Sequence, residues 1–202
     1  MFFKNKNKKY FGIEPDNLFF NYFEKNIKQN KLSNKIKIYK NFITSKKKIG
    51  LLSGSSGTKK FIPSKFNKIE NQISLDNFVD VNCIKNLELI KIDTDGYDYD
   101  VLKSGNKIIK KFKPIIFFEC QIDNKKKIDR YMEVIKNLKS FFYDFCFFDN
   151  FGNFIVKSSN LDQIRELIEY TYSQNNFKNK SIYYYDILAY TKSDYKRILK
   201  SI

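Results

Sequence analysis

The chain is 202 residues long with a net charge of +16, enough for one domain with a proper core, and its apolar runs show no second one. It has no histidine and three cysteines, Cys83, Cys120 and Cys146, without a C-x-x-C pair, which excludes a histidine base and a Cys/His zinc site and leaves the cysteines as small buried hydrophobes. No stretch approaches the ~20 consecutive apolar residues of a membrane span, and the amino terminus carries no apolar segment with a small-residue cleavage site, so a cytoplasmic protein is expected.

In chain order, residues 9–14 read as a strand, and Asp16 opens a helix with Phe19, Phe23 and Ile27 on one face. Residues 36–43 are the next strand, with Ile36, Ile38 and Phe42 alternating inward. The segment 48–63 contains SGSSGTKK, a flexible-looking stretch between short β segments. It is no phosphate-binding G-x-x-x-x-G-K-[ST] loop, because no Gly-Lys pair exists. Leu87, Leu89, Ile90 and Ile92 make a strand that stops at Asp93. Asp98 then caps a helix with Val101, Leu102, Gly105, Ile108, Ile109 and Phe112 on its apolar face, and Pro114 forbids its continuation. Residues 115–118 form an unbroken apolar run that stops at Glu119, and a run buried on both faces implies a parallel, helix-covered sheet.

Residues 89–119 thus make a β-α-β unit with carboxylates at the carboxyl ends of both strands, where open α/β sheets bind ligands. Further on, Ile128, Tyr131, Met132, Ile135 and Leu138 mark a helix over 125–141. Phe145, Phe147 and Phe148, then Phe154 and Val156, flank DNFGN as a hairpin. Leu161, Ile164, Leu167, Ile168 and Tyr172 mark another helix, capped by Ser159 or Asn160, and 182–190 is the last strand. The many Phe and Tyr residues are read as core filling.

Several of these residues carry a resemblance. Ser74-Leu75-Asp76, Lys91-Ile92-Asp93-Thr94-Asp95-Gly96, Val101-Leu102-Lys103-Ser104-Gly105, Lys113-Pro114-Ile115-Ile116 and Glu119 together resemble the FkbM family of S-adenosylmethionine-dependent methyltransferases. Upstream, Gly12-Ile13-Glu14-Pro15-Asp16 with Phe23, Asn26 and Asn30 is similar to that family's second-strand segment. Asp95 and Asp98 stand where Glu is commoner, and both keep the carboxylate. The resemblance implies an α/β fold with a Rossmann-like class I methyltransferase sheet, mostly parallel with helices on both faces. It also implies O-methylation of a sugar or similar hydroxylated small molecule.

One part of that pattern is missing. Such enzymes begin with a strand and a D-x-G-x-x-x-G turn whose glycines let the backbone approach the cofactor. The seven glycines here lie at 12, 50, 54, 57, 96, 105 and 152, and MFFKNKNKK is too polar for a central parallel strand. The domain is therefore expected to be incomplete at its N-terminus, either inactive as this chain or completed by a partner chain that fills the sheet.

The resemblance gives Glu14 the role of holding the cofactor's ribose hydroxyls, which fits an acid at a strand end before a helix. Asp93, Asp95 and Glu119 are the catalytic candidates. Without histidine, a base for the acceptor hydroxyl must be a carboxylate; alternatively the three hold a hard divalent cation, since oxygen-only ligation suits Mg²⁺ or Ca²⁺. The basic charge suits an acidic partner. Yet the lysines are scattered, and the sequence is rich in residues whose codons can be all A and T, so no specific nucleic acid is expected.

Overall fold

The computed structural model describes residues 8–54 and 59–195. The chain forms two compact units, residues 1–73 and 74–202, each with its own architecture. No helix among the described residues is long and apolar enough to cross a membrane.

In the first unit, β1 (Tyr10–Ile13) and β2 (Ile36–Tyr39) pair in parallel, Tyr10 opposite Ile36 and Ile13 opposite Tyr39. A parallel pair needs a crossover, supplied by α1 (Asn17–Gln29). As expected, Asp16 caps it: Oδ1 accepts from the Leu18 and Phe19 backbone N–H groups at 2.9 and 3.2 Å. The strand expected over 36–43 breaks in two. Asn41 Nδ2 and Phe42 N both donate to Asn71 O, at 3.0 and 3.1 Å, which draws the chain away from β2. The second piece, β3 (Phe42–Ile43), joins another sheet. β4 (Ile49–Ser53) and β5 (Lys60–Lys68) then form an antiparallel hairpin, and β6 (Gln72–Ile73) pairs in parallel with β3. Residues 55–58 of SGSSGTKK lie outside the described residues.

The second unit begins with α2 (Leu75–Val81), whose N-terminus is capped by Ser74 Oγ, 3.1 Å from Asn77 N. It continues through β7 (Leu89–Ile92), α3 (Asp98–Ser104), α4 (Asn106–Phe112), β8 (Ile115–Cys120) and α5 (Lys125–Ser140). β9 (Tyr143–Asp149), β10 (Phe154–Ser158), α6 (Leu161–Ser173) and β11 (Tyr185–Thr191) complete it. The expected hairpin is β9–β10, and Asn160 caps α6, accepting from Asp162 N at 2.9 Å.

These strands form one sheet in the order β10-β9-β11-β8-β7. β7 and β8 are parallel, while β11 runs antiparallel to both β8 and β9, and β10 antiparallel to β9. The sheet is mixed, where a mostly parallel one was expected. The crossover through α5 carries β9 two places past β8, in the same direction as β8. β11 returns the other way and fills the gap between them. Burial alternates along β8: Ile116, Phe118 and Cys120 are 0–1% exposed, while Ile115, Phe117 and Glu119 are half-buried. One face of this strand is closed and the other is only partly covered, in place of the two closed faces its apolar run suggested. The helices pack in one continuous row, α2 against α3 and α4, α3 against α5, α5 against α6.

The single helix expected from Asp98 to Phe112 is two, divided at Gly105. A Cβ at Gly105 would lie 2.7 Å from Leu75 Cδ2, so glycine lets α2 approach the break. α2 also supplies the cap of α4: Asp76 Oδ1 and Oδ2 accept from Ile108 N and Lys107 N at 2.9 and 3.3 Å. Two of the three cysteines are buried as expected; Cys83 is exposed. The aromatic residues divide likewise. Tyr131, Tyr143, Phe118, Phe145 and Phe147 are fully buried core, but Phe142 and Phe151 are more than 70% exposed.

Candidate active site

The parallel register of β7 and β8 sets Ile92 beside Phe118, so Asp93 and Glu119 are the next residues on strands ~4.8 Å apart. Side-chain alternation puts Glu119 on the less covered face with Phe117 and Ile115. Directly across the antiparallel pair from Glu119 stands Asp186 of β11. Asp93 is 60% exposed and pairs with Lys91, Nζ to Oδ2 2.7 Å. Asp95 adopts left-handed backbone, φ 51°, and Gly96 follows at φ 87°. Aspartate and glycine tolerate that region, which lets the chain turn back from β7 into α3 within a few residues.

The expected cap at Asp98 is corrected by the structure. Tyr97 is the N-cap residue, and Asp98 is wholly buried inside the first turn. Its carboxylate accepts from Thr94 Oγ1 (2.8 Å), Thr94 N (3.4 Å) and Glu119 N (3.1 Å). It therefore ties the turn after β7 to the end of β8. From the other side Tyr131 of α5 donates its hydroxyl to Glu119 O at 3.0 Å, so the backbone at Glu119 is held by two elements.

These carboxylates shape one another's protonation. Glu119 is pushed up to about 8, first by burial and then by the negative charges of Asp98, Asp93, Asp95 and Asp186. Burial also raises Asp98 to about 6, against the opposing pull of its hydrogen bonds. Asp186 is raised by burial and by Asp93, with Lys91 acting in the opposite sense. The phenol of Tyr184 is raised too, by burial and then by Glu119, Asp186 and Asp93. Glu119 at about 8 and Asp98 at about 6 both titrate near neutrality, but Asp98 is wholly buried and committed to its hydrogen bonds, which leaves half-buried Glu119 as the carboxyl able to meet a substrate as a general base.

Of the expected residues, Asp93, Asp95 and Glu119 share this end of the second unit, while Glu14 belongs to the first. Glu14 follows β1 directly, its N–H bonded to Tyr39 O at 3.1 Å, and its Oε1 accepts from Asp16 N at 2.8 Å. Among the described residues no group of three or more Asp, Glu or Cys side chains is gathered so as to hold a metal ion. The divalent-cation arrangement of Asp93, Asp95 and Glu119 therefore lacks a geometric basis. Asp93 spends its charge on Lys91 instead. Sequence reasoning missed Asp186 and Tyr184, although an aspartate inside the apolar run YDILAY was a visible signal that one face of that strand meets a polar site.

No curated protein matches the chain. Among solved structures it is similar to the crystal structure of methyltransferase FkbM from Methylobacillus flagellatus KT, with a TM-score of 0.40 at 17% identity. That match covers 55% of this chain and 26% of that one, so the chain spans about a quarter of the length of that protein. The family model of the methyltransferase FkbM domain matches residues 1–178, which include Glu14, Asp93, Asp95, Asp98 and Glu119 but not Asp186. The chain belongs to the FkbM methyltransferase family.

Proposed function

We propose that this chain is an S-adenosylmethionine-dependent O-methyltransferase domain acting on a hydroxyl of a sugar or similar small molecule, with Glu119 as the base. The observation that carries the reading is the carboxyl of Glu119 at the carboxyl end of β8, raised to about 8 beside Asp93, Asp95 and Asp186. Family membership supports the methyl-transfer chemistry. For the cofactor, the fit rests on Glu14, a carboxylate at a strand end immediately before a helix, the place where doubly wound folds hold ribose hydroxyls. The described residues offer no D-x-G-x-x-x-G turn for its methionine half. When bound, the cofactor would supply an electrophilic methyl group. Glu119, once deprotonated, accepts the proton of the acceptor hydroxyl as its oxygen becomes the nucleophile. Asp98 and Tyr131 hold the Glu119 backbone in place, and burial, then the charges of Asp98, Asp93, Asp95 and Asp186, raise its proton affinity. Transfer of a labelled methyl group to a panel of monosaccharides tests the reading. Activity lost in Glu119→Gln with the acceptor KM unchanged supports it, and full activity in that variant contradicts it.

A second reading, a domain completed by a further strand from a partner chain, is favoured by the edge of the sheet. β7 pairs only with β8 among the described residues, yet parallel strands are ordinarily buried between neighbours, and an open apolar edge invites pairing. On this reading the isolated chain binds S-adenosylmethionine weakly. Low-micromolar binding by residues 1–202 in a calorimetric titration contradicts it.

A further inference from the structure

Four residues beyond Asp186 on β11, about 13 Å along the strand and on the same face of the sheet, lies Tyr190, with Asp144 of β9 as its cross-strand partner. It lines a cavity of about 290 Å³ together with Asp144, Lys157, Lys192 and Tyr195. Strand alternation brings Lys157 there: it stands on β10 opposite Cys146, two residues from Asp144, so its side chain leaves the sheet on this face too. The turn after β11 closes one wall. Asp194 N donates to Thr191 O at 3.0 Å, and Thr191 Oγ1 donates to Asp194 Oδ2 at 2.8 Å. That brings Tyr195 back onto Tyr190, with the rings stacked 5.8 Å apart at 18°. The charges around the cavity do not balance one another. Asp144 is taken by Lys139, Nζ to Oδ1 3.3 Å. Among the described residues neither Lys157 nor Lys192 pairs with a carboxylate. Lys157 Nζ instead lies 3.9 Å from the centre of the Tyr195 ring and 5.8 Å from that of Tyr190. Tyr190 is 1% exposed, and its hydroxyl has Cys146 Sγ as a partner at 3.9 Å. A thiol is a weak partner, which leaves that hydroxyl able to serve a stronger acceptor.

We propose that this cavity is a binding site for a phosphate monoester, separate from the carboxylates around Glu119. The chemistry selects the ligand. Two ammonium groups and a phenol offer donors, and a phosphate monoester is close to a dianion near neutral pH with three strong acceptor oxygens. A carboxylate would neutralise one lysine and leave the other, and a cation would meet both. The volume lies at the small end of ligand pockets, which suits a phosphate on a short organic stem, with the Tyr195 ring as the wall along that stem. A dissolved ester and the headgroup of an acidic lipid share this chemistry.

The test uses the full chain with glycerol 3-phosphate as the probe and glycerol as its uncharged control, followed by NMR through the ring resonances of Tyr190 and Tyr195. The expected result is a saturating shift of both rings with a dissociation constant of about 1 mM or tighter, absent with glycerol. Binding should be weaker at about pH 5 than at about pH 7.5, because the ester loses its second charge below a pKa of about 6. Lys157→Met, Lys192→Met and Tyr190→Phe should each weaken binding at least about threefold, the scale of one exposed ion pair or hydrogen bond. Lys107→Met removes the same charge from α4 and should leave binding unchanged. Sedimentation with phosphatidylcholine vesicles, with and without phosphatidic acid, separates the two sources. Retention that needs phosphatidic acid and is lost in Lys157→Met assigns a lipid headgroup, and glycerol 3-phosphate binding without vesicle retention assigns a soluble ester. Rings unmoved by glycerol 3-phosphate, or Lys107→Met weakening binding as much as Lys157→Met, would overturn the site.

Discussion

Asp98 and Glu119 are acids joined by one hydrogen bond, from the Glu119 backbone N–H to the Asp98 carboxylate, and they have opposite fates. Asp98 is 0% exposed and accepts from Thr94 N, Thr94 Oγ1 and Glu119 N. Those bonds hold its pKa to about 6 despite complete burial. Glu119 is half-buried, and what acts on it is burial together with four other negative charges, which take it to about 8. Its carboxylate gains nothing comparable in return. Burial alone therefore does not decide what an acid does: a carboxylate matched to donors fixes the fold, and one surrounded by like charge is kept reactive at a cost in stability.

The comparison breaks most visibly at Asp98. Asp98→Ala leaves Thr94 and Glu119 N–H groups without their acceptor in a closed interior and should cost about 3 kcal/mol, read as a lower midpoint in urea denaturation. Asp98→Asn keeps a side-chain oxygen to accept some of those bonds and should recover part of that stability. At Glu119 the signs reverse. Glu119→Gln should lower methyl transfer roughly 100-fold or more, the usual contribution of a general base, while leaving the fold as stable or more so.

The sign follows from linkage. Both acids bind protons more tightly in the folded than in the unfolded chain, so folding takes up protons between their ordinary and raised values, and stability falls as pH rises through that interval. For Glu119 the interval runs from 4.5 to about 8. The melting temperature of Glu119→Gln should then exceed that of the parent at pH 8, with the gap closing toward pH 4.5. A gap that widens on acidification would contradict the assignment.

Smaller effects sharpen the same contrast between fixed and reactive parts. Gly105→Ala presses a methyl group against Leu75 and should cost about 1–3 kcal/mol in thermal denaturation, as overpacking does. Asp76→Ala removes the acceptor at the α4 N-terminus and should cost about 1 kcal/mol. Smallest of all, Lys91→Met breaks a pair that is 60% exposed on both sides and should change stability by less than about 1 kcal/mol.

Local signals in the sequence were enough for Asp16 as a cap, the hairpin around DNFGN, a cap at Ser159 or Asn160 before α6, and the strand ends near Asp93 and Glu119, since each depends on a few neighbouring residues. The rest depended on partners distant along the chain. Asp98 has the spacing of a helix cap, and only the approach of the Glu119 N–H, 21 residues away, makes it a buried tie. Gly105 looked like one more position on an apolar helix face until Leu75 arrived against it. The direction of β11 is invisible in its own residues, because parallel and antiparallel strands bury the same side chains. Asp186 enters the site only through its pairing opposite Glu119.

The claim that Glu119 is the poised base rests on where it titrates, and the side-chain carboxyl carbon of Glu119 reports that directly in a ¹³C-labelled chain followed by NMR from acid to alkaline pH. A midpoint near 8, moving downward in Asp186→Asn as a neighbouring negative charge is removed, is the predicted result. A midpoint near the ordinary glutamate value of 4.5, indifferent to Asp186, would contradict it.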